Sequence, residues 1–112
     1  MDFEQATRRA REVRGLLAEV EVGRHGRAWN VEDIALGFVG DVGDLAKLVQ
    51  AAAGIRDAND LDARLAHELG DCLWAVLVLS DKLDVDLERA FRETMDQLEA
   101  WARREIASEE TA

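Results

Sequence analysis

The stretch Ile34-Ala-Leu-Gly-Phe-Val-Gly-Asp-Val-Gly-Asp-Leu-Ala-Lys-Leu-Val-Gln-Ala51 decides how the rest of the chain is read. Its row Ile34, Gly37, Asp41, Asp44, Leu48, Ala51 steps by three and four, the rhythm of one inward face of an α-helix. Two carboxylates therefore stand where core side chains belong. Asn30 is a good N-cap, and Asp33 three places on suits the positive end of a helix dipole. Gly54 offers the stop after Ala53.

Working outward, the next helix is capped by Asn59 or Asp60 and runs from Leu61 to about Leu83. Its row Leu61, Arg64, Glu68, Asp71, Ala75, Val78 repeats the pattern, again with an acidic pair inside an inward stripe. The run Cys72-Leu-Trp-Ala-Val-Leu-Val-Leu79 is apolar on every face, which calls for protein all round it and hints at a subunit interface. Before these two helices, Phe3, Ala6, Ala10, Val13, Leu17 and Val20 mark an amphipathic helix to about Glu21, ended by Gly23 to Gly26. After them, Asp84 or Asp86 caps a fourth helix with the stripe Leu87, Phe91, Met95, Leu98, Ala102, Ile106. Residues 107–112 read as a frayed polar tail.

The expectation is one all-α domain over residues 1–112, a four-helix bundle completed by oligomerisation, as a homodimer or homotetramer. Proline is absent, which favours long uninterrupted helices. The net charge of −10 repels nucleic-acid polymers and anionic membranes but attracts cations. A lone cysteine, the lack of a signal-peptide pattern and the lack of a bilayer-length apolar run predict a soluble, cytoplasmic protein.

Spacing alone does not single out the carboxylates. Six acidic pairs lie three apart, about what 24 acids among 112 positions produce by chance. Phase separates them: Glu93, Asp96 and Glu99 lie off the stripe of the fourth helix, whereas Asp41, Asp44, Glu68 and Asp71 interrupt inward rows. Four carboxylates brought together lose hydration and raise one another's pKa. A divalent cation relieves both, magnesium or manganese by the all-oxygen donor set. The plain alternative is that these acids pair with Lys47 and Arg64 on neighbouring turns. Gly37, Gly40 and Gly43, each costing a helix about 1 kcal/mol, suggest a close approach to the second helix by another backbone or a bulky ligand. The arginines 8, 9, 11, 14, 24 and 27 read as a solvated face. Core packing is expected of Phe38 and Trp74, ligand contact of Trp29 in the loop beside the site, and no role of His25 or His67.

The elements Gly40-Asp-Val-Gly-Asp-Leu45 and His67-Glu-Leu-Gly-Asp-Cys-Leu-Trp74, with Trp29 ahead and Leu83 to Glu88 behind, resemble the MazG-like all-α nucleoside triphosphate pyrophosphohydrolases. The resemblance spans Trp29 to about Arg92. It implies magnesium held by Asp41, Asp44, Glu68 and Asp71, catalysis by Asp41 or Asp44, and cleavage of a nucleotide substrate to monophosphate and pyrophosphate, in a house-cleaning or nucleotide-pool role. The chain departs from the family pattern in two places. The first pair is Asp-Asp where Glu-Glu is usual, and Thr94 stands where relatives often carry a phosphate-binding lysine; Lys47, Arg64 or Arg92 are the substitutes available. Two rival readings follow, a non-catalytic metal- or nucleotide-binding protein and a plain helical interaction module. The related phosphoribosyl-ATP pyrophosphohydrolases share the acidic logic.

Overall fold

The computed structural model describes residues 1–111, which form four helices and no strand. They are α1 (Phe3–His25), α2 (Val31–Ala52), α3 (Leu61–Lys82) and α4 (Leu87–Thr111). The local chemistry at their ends explains the boundaries. The Asn30 side chain accepts from the Asp33 N–H at 2.9 Å while Asp33 accepts from the Asn30 N–H at 3.0 Å, so two orphan donors of α2 are satisfied reciprocally. Asp2 and Gln5 do the same for α1. Asp86 caps α4 by accepting from the Arg89 N–H at 3.1 Å. Asp60 precedes α3 in the left-handed region at φ 51° and makes no side-chain cap.

Two boundaries differ from the sequence expectation. Helix α1 continues through Gly23 and stops only at Gly26, whose φ of 79° ends the helix and lets its N–H reach the Val22 carbonyl at 2.9 Å. One interior glycine lacks the strength to break a helix already capped and propagating. The tail is not frayed over its described part: α4 runs on to Thr111, whose hydroxyl donates to the Ala107 carbonyl at 3.2 Å. Ala112 lies outside the described residues.

Helix α3 is the centre of the packing. It lies chiefly against α2 and also against α1. The core is small: Ala10, Ile34, Leu77 and Val78 are buried together, with Ala6, Trp74, Leu79 and Leu87 packed around them. Within this chain Ala75, Leu77 and Val78 of α3 are enclosed, while Leu73 on the same run is 56% exposed. Phe38 is half-buried, as is Trp74, whose Nε1 is buried with no acceptor. Helix α4 buries none of its residues; it touches the body at its start, through Leu87 and through the ring of Phe91, centred 6.0 Å from that of Phe3. No helix among the described residues is long and apolar enough to cross a membrane.

One charged group belongs to the interior. Arg14 is 5% exposed and donates to Glu21 two turns along α1; it is not part of a solvated face as the sequence suggested. Burial works against the Glu21 charge. The Trp29 N–H at 2.7 Å and the Arg14 guanidinium outweigh it, holding the carboxyl below its ordinary range. This pair ties the last turns of α1 to the loop that enters α2.

Candidate metal centre

The pairing of α2 with α3 sets their two acidic turns side by side. Asp41, Asp44 and Glu68 each offer a carboxylate oxygen, and the three oxygens lie within 4.8 Å of one another. Asp41 and Glu68 are half-buried on the seam, and Asp44 faces outward at its rim. The fourth member, Asp71, sits one turn beyond Glu68, with its Oδ2 turned to His67 Nε2 at 3.0 Å. The structure thus brings three of the four expected ligands into one cluster and ties the fourth to a histidine beside it.

The electrostatics of this seam are unfavourable in the bare protein. Burial, followed by the neighbouring charges of Asp71 and Asp44, raises the Asp41 carboxyl above its ordinary range. Burial, then Asp71, Asp41 and Asp44, raises Glu68 in the same way. Burial, then Asp41, Glu68 and Asp71, push up the thiol of Cys72 on the adjoining turn. Among the described residues no lysine or arginine lies in ion-pair contact with any of the four acids. Glu68 Oε2 is buried with no hydrogen-bond partner among the described residues. An ionised carboxylate oxygen in that position loses several kcal/mol of hydration without compensation. A divalent cation with oxygen-loving chemistry would supply what is missing, so the residues fit one.

The other sequence candidates are placed differently. Lys47 and Arg64 are exposed and, among the described residues, form no ion pair, which removes the reading that they neutralise the acids. Arg92 lies on α4 and is bound to Glu88 at 3.0 Å, on a helix that packs little against the body. Trp29 is 47% exposed. Its ring stands 3.5 Å from where a Cβ on Gly37 would be, one turn ahead of Asp41, and it borders a cavity of about 290 Å³ with Arg14, Val78 and Lys82. That contact is ordinary, and no atom outside the helix comes within 4 Å of a Cβ built on Gly40 or Gly43. The close approach expected at all three glycines is therefore confined, within this chain, to Gly37.

Sequence reasoning passed over His67. The available signal was its position four residues before Asp71 on one helix, the spacing at which side chains meet.

No curated protein matches the chain. A family model described as the MazG nucleotide pyrophosphohydrolase domain matches residues 30–103, from the cap of α2 into the second half of α4. That span is about two-thirds of the sequence and contains both acidic turns. By this match the chain belongs to the MazG nucleotide pyrophosphohydrolase domain family.

Proposed function

We propose that this protein is a divalent-metal-dependent nucleotide pyrophosphohydrolase, working in the cytoplasm, that cleaves a ribo- or deoxynucleoside triphosphate to the monophosphate and pyrophosphate. The observation that carries this reading is the seam of α2 and α3: three carboxylates in one cluster, no basic partner, and a buried Glu68 oxygen left unsatisfied. Asp41, Asp44, Glu68 and Asp71 hold magnesium, and manganese suits the same oxygens. When bound, the cation neutralises triphosphate charge and acidifies a water.

The residues of the chain do the rest. Glu68, packed on the seam and fixed by the α3 backbone, sets the position of the cluster. His67 holds one oxygen of Asp71 and so orients the other towards the site. Asp41 or Asp44 takes the proton from the attacking water as the anhydride bond between the α- and β-phosphates breaks and pyrophosphate departs. Lys47, exposed one turn beyond Asp44, and Arg64, one turn before Glu68, are the cations on the same two helices that can meet the phosphates. Trp29, whose ring lies against Gly37 one turn ahead of Asp41, offers a flat apolar face to the base. Arg92 reaches phosphate only by leaving Glu88.

A second reading, metal and nucleotide binding without turnover, is favoured by one observation. The exposed Thr94 gives α4 no phosphate-binding lysine, and the chain's nearest substitute there, Arg92, is already paired.

Product analysis separates the two. Purified protein is incubated with a panel of nucleoside triphosphates and magnesium or manganese, beside Asp71→Asn. Monophosphate plus pyrophosphate, lost in the variant, is the expected result. Metal binding with no product from any nucleotide would favour the second reading, and absence of metal binding would remove the site.

A further inference from the structure

The position of Trp29 is not explained by its own packing. It sits in the loop between α1 and α2, is 47% exposed and borders a cavity of about 290 Å³, so its surroundings leave the ring room to move. The ring nevertheless lies against Gly37, 3.5 Å from where a Cβ would be, one turn ahead of Asp41. The backbone supplies what packing does not. The Trp29 N–H donates to Glu21 Oε1 at 2.7 Å, a charge-assisted bond across eight residues of sequence. The same oxygen accepts from Arg14 Nη2, and the Glu21 side chain is only 13% exposed.

The residues on either side of Trp29 are held by α2 instead. Asn30 forms the cap with Asp33, and Arg27 donates to Asp33 at 2.7 Å. Beyond the Gly26 cap, the Trp29 N–H is the hydrogen bond that returns this loop to α1 among the described residues. A buried ion pair is a poor way to stabilise a fold, because an apolar pair of similar volume does as well or better. A carboxylate at position 21 does one thing that an apolar side chain cannot, which is to accept that N–H. Resting on the reading of the α2–α3 seam as a nucleotide site with Trp29 at the base, we propose that Glu21 is a positioning residue. Held by Arg14, it fixes the Trp29 backbone so that the indole stands ready beside the seam. Glu21 itself meets neither metal nor phosphate in this arrangement. Its loss should therefore weaken nucleotide binding equally in the ground and transition states, raising KM and leaving kcat nearly unchanged.

The test compares wild type, Glu21→Gln, Trp29→Ala, and the double exchange Arg14→Met with Glu21→Leu, whose apolar pair keeps the fold but lacks the acceptor. Trp29→Ala should raise KM for the hydrolysed nucleoside triphosphate roughly tenfold. The double exchange should raise it by most of that factor, with kcat and manganese affinity retained. Glu21→Gln, whose amide oxygen still accepts the N–H, should stay near wild type. Should no nucleotide turn over, calorimetric affinity for a nucleoside triphosphate in manganese is compared in the same way, which tells failed hydrolysis from failed positioning. Amide exchange of wild type needs no variant: the Trp29 N–H should exchange roughly tenfold to a hundredfold more slowly than an unprotected amide. Free exchange there would overturn the proposal. So would a double exchange with wild-type KM or affinity beside an impaired Trp29→Ala, or a Glu21→Gln as impaired as the double exchange. Wild-type KM and affinity in Trp29→Ala would remove the base contact and the proposal with it.

Discussion

Glu21 and Glu68 are both taken largely out of water, and their surroundings could hardly differ more. Glu21 receives a guanidinium from Arg14 and an N–H from Trp29, and its carboxyl is held below the ordinary range. Glu68 receives nothing on Oε2, stands among other carboxylates, and is held above that range. The chain completes the first carboxylate by itself and leaves the second incomplete. The lesson is that the Arg14–Glu21 pair belongs to the fold, while the α2–α3 seam is built for something that comes from outside.

Breaking the self-sufficient side of the comparison should cost most. Arg14→Met leaves Glu21 buried without its cation, and we expect a loss of about 3–5 kcal/mol in urea unfolding. Replacing Glu21 by Leu in the same chain should recover much of that loss, because an apolar pair needs no mutual charge. The incomplete side should respond in activity. Glu68→Gln should lower nucleotide hydrolysis by roughly a hundredfold or more, measured as pyrophosphate released. If instead it lowered stability and left turnover alone, Glu68 would be another Glu21.

The two sites should also titrate with opposite sign. Glu21, with its lowered pKa, adds stability above the unfolded value near pH 4.3, and that stability is lost as pH falls through its folded pKa. Asp41 and Glu68, with raised values, cost stability at neutral pH in chelator, and the cost disappears as pH falls through their folded pKa. In chelator Glu68→Gln should therefore be more stable than wild type by about 1 kcal/mol at pH 7, with the advantage vanishing in acid. Thermal melts across that range check the sign. The smallest effect belongs to the cations that neither site uses structurally: Lys47→Ala and Arg64→Ala should change stability by less than about 0.5 kcal/mol.

The helices and the acidic seam were legible in the sequence because both rest on periodicity, and periodicity is local. The row through Ile34, Asp41 and Leu48 put Asp41 on the inward face and Asp44, one turn on, at its exposed rim, and Asn30 and Asp33 announced where that helix starts. Arg14 was hidden because its burial depends on a loop. Beside Arg8, Arg9 and Arg11 it looks like one more surface arginine until Glu21 and the Trp29 N–H are brought back against it. The extent of α1 and α4 was misjudged for a different reason. Glycine and polar residues lower propensity by amounts that capping and continued hydrogen bonding readily outweigh. The exposed stripe of α4 was visible as a stripe, but which surface it faces is a matter of tertiary assembly that no spacing within one helix encodes.

The most direct test of the account is a calorimetric titration of manganese or magnesium into the chelator-treated protein and into Glu68→Gln. A saturable binding event is expected in the wild type, accompanied by a higher melting temperature, and its loss or severe weakening in the variant. Identical titrations for the two proteins, with no stabilisation of either, would contradict it and return the seam of α2 and α3 to the status of a strained but ordinary acidic surface.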